Sequence, residues 1–206
     1  MKAALGPPRC LFVDVGGVLL SNGWDHLARA RAAETFGLDL AELERRHQMV
    51  AGTYEQGQDT LDDYLDWVVF HTRRPFTRDR FRRHLFAQST PDTAMLALVA
   101  RLKRRHGLKV AVVSNEGREL NAHRIRTFHL DRFVDFFVSS CYVHLRKPDR
   151  EIYRLALDLV QVPAREVVYL ENTPLFVRIA AGLGIRGVLH RDAASTRAAL
   201  AGLGLD

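Results

Sequence analysis

The sequence predicts an α/β protein: a Rossmann-like parallel sheet with helices on both faces, plus a small all-helical cap inserted after the first strand. Three observations predict it. From residue 91 onward, short apolar runs alternate with helical patterns of ten to fifteen residues, the grammar of βαβ units around a sheet buried on both faces. Residues 25–87 carry helical periodicity and no convincing strand. The length, 206 residues, suits one domain or one domain with a small insert.

The elements follow in order. Arg9–Asp14 (Cys-Leu-Phe-Val-Asp) is a short buried strand, broken by Gly16-Gly17. Helices are predicted over Asp25–Phe36, Leu40–Val50, Thr60–Phe70 and Thr77–Phe86, with Thr60 and Thr77 as N-caps and Gly37 as a C-cap. Pro91–His106 is a helix ended by Gly107, and Lys109–Ser114 a strand ending in Ser-Asn. A helix at Arg118–Phe128 leads to a short strand at Phe136–Ser140. Pro148–Val160 is a helix with proline at its first position, where a missing N–H costs nothing. The strand Glu166–Glu171, the helix Pro174–Leu183 ended by Gly184, the strand Arg186–Leu189 and the helix Ala193–Leu203 complete the chain. The predicted division is a core of residues 1–20 and 89–206 and a cap of residues 21–88.

Composition excludes several classes. Apolar residues at 47% and charged residues at 26% are ordinary for a globular protein and rule out collagen, long disorder and a coiled coil. No run reaches about 18 apolar residues, so no transmembrane helix and no membrane partner is expected. Leu11–Leu20 is interrupted by Asp14 and two glycines, which suits a buried strand rather than a secretory segment. Cys10 and Cys141 make no disulfide framework, and a reducing, cytoplasmic location is the expectation. Net charge is +6, with arginine far outnumbering lysine among the 30 basic residues. A basic surface draws anionic ligands. One cluster, Arg73, Arg74, Arg78, Arg80, Arg82 and Arg83, has Phe76, Phe81 and Phe86 interleaved. Such a run could bind nucleic acid; a solvated helix face is the commoner explanation, and no nucleic-acid role is expected.

In open parallel sheets ligands sit beyond the carboxyl ends of the strands. The first strand ends in Asp14, followed by Val15, Gly16 and Gly17; the second ends in Ser114-Asn115; Arg146-Lys147-Pro148 follows the third; the fourth ends in Glu171-Asn172. An acid, a hydroxyl, an amine and a second acid thus converge on one crevice. A carboxylate at Asp14 can attack phosphorus or carbon to give a covalent intermediate. Lys147 can neutralise that carboxylate and an anionic substrate. Ser114 can donate to an anionic oxygen, and glycines at 16 and 17 let backbone N–H groups approach a ligand. Asp14 with Glu171 could hold Mg²⁺, which prefers oxygen ligands. Asn115 and Glu116 are placed to face the crevice. Asn22 and Trp24 stand where core meets cap, within reach of a substrate. The nine histidines show no zinc spacing, and no Walker loop or GxGxxG fingerprint occurs.

These residues resemble the haloacid dehalogenase-like (HAD) hydrolase superfamily. The matching stretches are Leu11-Phe-Val-Asp14-Val-Gly-Gly-Val-Leu19, Val112-Val-Ser114-Asn115, Arg146-Lys147-Pro148-Asp149 and Val168-Tyr-Leu-Glu171-Asn172-Thr-Pro, running into Ala180-Ala-Gly-Leu-Gly184. The subgroup it looks most like includes sugar-phosphate phosphatases and the phosphatase domain of epoxide hydrolases. The resemblance implies Asp14 as nucleophile, Ser114 as ligand of the transferring phosphoryl group and Lys147 as the charge balancing both. It also implies a metal site at Asp14, the Gly16 carbonyl, Glu171 and Asn172, and a small anionic substrate admitted by the cap and touching Gly16, Gly17, Asn22 and Asn115.

Two departures bear on activity. Many family phosphatases carry a second Asp two residues beyond the nucleophile as general acid and base; here Gly16 stands there. Such a donor contributes about 10²–10⁴-fold. In the fourth motif the family's usual Asp-Asp or Gly-Asp pair is Glu171-Asn172, whose Asn is a neutral and weaker ligand, with Phe176 at the later ligand position, so Mg²⁺ is expected to bind weakly or not at all. Three readings stay open: a phosphatase on a small organic phosphate, a metal-independent hydrolase of the 2-haloacid dehalogenase type, and a binding protein that kept the fold without the chemistry.

Overall fold

The computed structural model describes residues 6–206. The described chain runs β1 (Cys10–Val13), α1 (His26–Phe36), α2 (Leu40–Glu55), α3 (Leu61–Val68), α4 (Arg78–Ala87), α5 (Thr93–His106), β2 (Lys109–Ser114), α6 (Arg118–Thr127), β3 (Phe136–Ser139), α7 (Ser140–Val143), α8 (Arg150–Val160), β4 (Val167–Glu171), α9 (Pro174–Ala181), β5 (Arg186–Leu189) and α10 (Ala193–Ala201).

The strands form one sheet in the order β3-β2-β1-β4-β5, every pairing parallel. Strand side chains alternate between faces. Leu11, Val13, Val110, Val112, Val168 and Leu170 join α5 and α10 residues in one apolar cluster. Cys10, Phe12, Ala111, Val113, Val167 and Tyr169 join α8 and α9 residues in the other. The three central strands are therefore apolar at consecutive positions rather than at alternate ones, as double-sided burial requires. Strand order reverses about β1, so the crevice at its carboxyl end is where a ligand fits.

Helices α1–α4 stand between β1 and α5 and pack around a third cluster that includes Phe36, Tyr64, Leu65, Phe81 and Leu85. Thr60 caps α3 in a reciprocal capping box with Asp63, Thr77 caps α4, and Gly37 ends α1 in the left-handed conformation at φ 62°. The arginine run keeps much of its charge at home. Arg78 and Arg82 pair with Asp62 and Asp66 of α3, and Arg80 lies over the Phe36 ring.

Three boundaries differ from expectation. Helix α2 extends past Val50 to Glu55, because Gly52 is accommodated within the helix, which yields only before Gly57. Pro148 is not the first residue of α8; Asp149 is the N-cap, accepting from the Glu151 N–H at 3.0 Å, and the helix opens at Arg150. The end of the third strand turns directly into the short helix α7, a segment with too few residues to show periodicity. Cys10 and Cys141 are both free and buried. Among the described residues no helix is long and apolar enough to cross a membrane.

Candidate active site

The register pairs Val13 with Val112 on one side and Leu170 on the other, which levels the three strand ends. The Asp14 N–H continues the ladder by donating to the Leu170 carbonyl at 3.0 Å. Asp14 is 7% exposed. The ammonium of Lys147, a residue 2% exposed, donates from 2.9 Å to Asp14 Oδ1 and from 2.7 Å to Glu171 Oε2. Burial alone pulls a lysine pKa down, but Asp14 and Glu171 outweigh it here and hold Lys147 above its ordinary value. The rings of Phe176 and Tyr169 flank the ammonium, with centroids at 4.9 and 5.8 Å.

Glu171 lies wholly inside. Its Oε2 accepts from Lys147 and from the Tyr169 hydroxyl at 2.5 Å, and its Oε1 accepts from the Thr173 N–H at 2.9 Å. Both oxygens are engaged by the protein, so Glu171 stands as the inner counter-ion of Lys147. The Asn115 amide clamps the backbone of that lysine from both sides: Nδ2 donates to the Lys147 carbonyl at 2.9 Å, and Oδ1 accepts from its N–H at 2.8 Å.

Ser114 Oγ donates to Glu116 Oε1 at 3.2 Å, and Glu116 is held bidentately by Arg124 Nη1 at 2.7 and 2.9 Å. Burial pushes the Glu116 carboxyl up, with Arg124 pulling against it. Asp14, Ser114, Asn115, Lys147, Gly16 and Asn172 line a crevice of about 290 Å³. Gly17 is placed elsewhere: its N–H closes a turn onto the Leu20 carbonyl at 2.7 Å. Its φ of +74° and a notional Cβ 2.0 Å from Asn172 Nδ2 admit no side chain.

A second cavity of about 280 Å³ lies between the helical insert and the core, walled by Trp24, Arg29, His47, Tyr54 and Glu55. Asn22, Asn115, Glu116 and Arg124 line both cavities, so the two meet. Trp24 Nε1 donates to the Tyr64 hydroxyl at 2.8 Å, and that hydroxyl in turn faces His47 Nδ1 at 2.8 Å. Burial drives the His47 pKa down to about 4, so the ring is neutral. With Tyr64 as donor to Nδ1, the proton sits on Nε2. Arg29 is tied to Glu44 at 2.8 and 2.9 Å.

The insert can seat here because residue 117 has no side chain. A Cβ on Gly117 would lie 2.1 Å from the Tyr54 ring, and Tyr54 is itself stacked on Tyr64 at 4.9 Å. Gly117→Ala should therefore destabilise the protein by about 1–3 kcal/mol, the usual cost of overpacking, and lift the insert. Urea unfolding would measure the first effect and altered protease cleavage in residues 21–25 the second.

Sequence reasoning brought Asp14, Ser114, Asn115, Lys147, Glu171 and Asn172 to one place. It did not find Tyr169, Arg124 or Glu55. Tyr169 had a readable signal, since it stands two residues before Glu171 and so shares its side of β4. Arg124 lies on the helix that follows β2 and Glu55 on a helix far away in sequence, and only the packing shows that both reach the site.

The comparisons with known proteins identify the family. The profile of the haloacid dehalogenase-like hydrolases matches residues 8–181, and the chain belongs to that family of hydrolases. It is 32% identical over 91 residues to a putative pyrophosphatase of Caldanaerobacter subterraneus, covering 44% of this chain and 41% of the relative; the match thus spans less than half of that protein. It is 25% identical over 192 residues to a phosphorylated carbohydrates phosphatase of Thermotoga maritima, covering 86% of this chain and 83% of the relative. A HAD-family enzyme of Bacteroides thetaiotaomicron, solved as a magnesium complex, superposes with a TM-score of 0.76 at 18% identity, covering 90% of this chain and 94% of that one. That likeness is one of fold.

Proposed function

We propose that this hydrolase is a phosphatase acting on a small organic phosphate through an aspartyl-phosphate at Asp14. The observation that carries the reading is the Asp14 carboxylate, held on one oxygen by a buried ammonium 2.9 Å away and bordering a crevice that opens into the cavity under the insert. Asp14 attacks phosphorus, the leaving alkoxide departs toward the insert, and water then cleaves the acyl phosphate. Ser114 releases Glu116 and turns its O–H to a phosphoryl oxygen. Lys147 opposes the charge that develops between Asp14 and phosphorus. The helical insert, residues 21–88, acts as a cap that excludes water and selects the substrate.

A divalent cation fits the donor set loosely. Three carboxylates, Asp14, Glu116 and Glu171, face two cations, Lys147 and Arg124, which leaves the crevice short of positive charge for a phosphate. Oxygens remain on Asp14, the Gly16 carbonyl and Asn172, whereas those of Glu171 are engaged. Mg²⁺ typically takes one or two carboxylates, the substrate phosphate and several waters, so these three residues would hold it weakly. When bound it would supply charge neutralisation at the transferred group. Glu171 then acts through Lys147 rather than as a ligand.

Asp14→Asn tests the reading. Across a panel of organic phosphates, with Mg²⁺ and again with EDTA, the wild type is expected to turn over at least one ester, and Asp14→Asn to fall to background while remaining folded by circular dichroism. Equal turnover by both proteins would mean a binding protein. The neutral Asn172 and the ring of Phe176 beside Lys147 favour one competitor, the metal-independent dehalogenase. Chloride released from a 2-haloacid in EDTA, with no phosphate released from any ester, would put that reading in its place.

A further inference from the structure

Gly16 leaves the site without an acid beside the nucleophile, yet an alkoxide leaving group needs a proton. We propose that Glu55, at the end of α2 in the insert, is the proton donor to the leaving group and the base for the water that follows. The proposal rests on the phosphatase reading of the same site.

Five observations support Glu55 in that role. Its side chain is 27% exposed and lines the cavity that meets the catalytic crevice. The end of α2 is fastened to the core. Ser140 Oγ donates to the Glu55 carbonyl at 2.6 Å and accepts from the Glu116 N–H at 2.9 Å. His144 Nδ1 meets the Gln56 carbonyl at 2.7 Å, and Gly57 lies where a Cβ would be 2.2 Å from the Cys141 carbonyl. One serine therefore separates the Glu55 backbone from the loop that carries Ser114. On the other side, Glu55 Oε2 stands 2.7 Å from Arg146 Nη2, the residue next to Lys147. The carboxyl thus stands between the Ser114 and Lys147 loops, in the cavity toward which the leaving group departs in that reading.

The charged and titratable groups around it are Arg146 and Lys147 from the core loop, Arg29 from α1, the neutral His47 and the Tyr54 hydroxyl from its own helix, the Tyr64 hydroxyl from α3, and Glu116 across the cavity paired with Arg124. Burial raises the Glu55 pKa against the pull of Arg146 and Lys147. A phosphate anion entering the crevice pushes in the same direction. In the first step the Asp14 oxygen bonds to phosphorus, the bond from phosphorus to the ester oxygen breaks, and the Glu55 proton passes to that oxygen. In the second, Glu55 carboxylate takes a proton from water as the water oxygen bonds to phosphorus, and Asp14 leaves as carboxylate. Each proton removed is returned.

The test compares two esters on the whole protein with Mg²⁺ present: β-glycerophosphate, whose alkoxide needs protonation, and p-nitrophenyl phosphate, whose phenolate does not. For Glu55→Gln, kcat/KM for β-glycerophosphate is expected to fall about 10²–10⁴-fold and its alkaline limb to disappear. The kcat/KM for p-nitrophenyl phosphate should change little, which also shows that the variant is folded. Equal losses on the two esters, or no loss on either, would overturn the assignment. If the wild type hydrolyses neither these nor any ester of the panel, the phosphatase reading fails first and the role of Glu55 fails with it.

Discussion

Lys147→Met is expected to abolish turnover and to cost the folded protein about 3–5 kcal/mol, the penalty for breaking a buried ion pair from one side. Methionine reproduces most of the aliphatic stem and removes the charge. Asp14 and Glu171, which share that ammonium at 2.9 and 2.7 Å, are then left facing each other with no cation between them. Lys147→Arg should not rescue. A planar guanidinium presents a rigid fork of donors rather than the single point charge that the two carboxylates share at 2.9 and 2.7 Å. Urea midpoints at pH 7 measure the loss.

The same lysine sets an alkaline limit. Its folded pKa lies above the ordinary 10.5. Its contribution to stability is therefore complete below that value and fades as pH rises through the folded one. The methionine variant lacks this dependence, so the two stability curves should converge at high pH.

Much of the site was legible because it lies on strand ends. A parallel sheet delivers the residue after each apolar run to one edge, so reading Asp14, Ser114 and Glu171 needed only the positions where Leu-Phe-Val, Ala-Val-Val and Val-Tyr-Leu stop. What each residue touches was less legible. Glu171 closes its strand at the edge where Asp14 follows its own, yet it is buried behind Lys147 because Tyr169 and the Thr173 N–H take its oxygens. Gly17 belongs to the same glycine pair as Gly16 but serves the turn. The cavity under the insert was not legible at all. It depends on where α2 ends, which is Glu55 rather than the expected Val50. Five further residues of helix carry Tyr54 against Gly117 and Glu55 over the crevice.

Arg124→Met is expected to destabilise the protein by about 3–5 kcal/mol, roughly 6–20 °C in Tm for a chain of this size. It should also loosen the insert, because Arg124 ties together parts that sequence keeps far apart. Its Nη1 holds Glu116, its Nε donates to Ser89 Oγ at 3.1 Å, and its Nη2 donates to the Ser21 carbonyl at 3.3 Å. Ser21 lies on the segment entering the insert and Ser89 on the segment leaving it, so one guanidinium fastens both passages to α6. Gly23 makes room for it, since a Cβ there would stand 1.7 Å from Nη2. Removing the arginine strands Glu116 inside, and the double variant Arg124→Met, Glu116→Gln should recover part of the loss. The recovery separates the two roles. Glutamine removes the uncompensated charge but does not refasten the passages at Ser21 and Ser89, so stability should return further than catalysis. Protease cleavage at residues 21–23 and 88–90, followed alongside kcat/KM, would show the passages still loose in the double variant. Full recovery of both stability and kcat/KM would mean that the guanidinium serves only to neutralise Glu116.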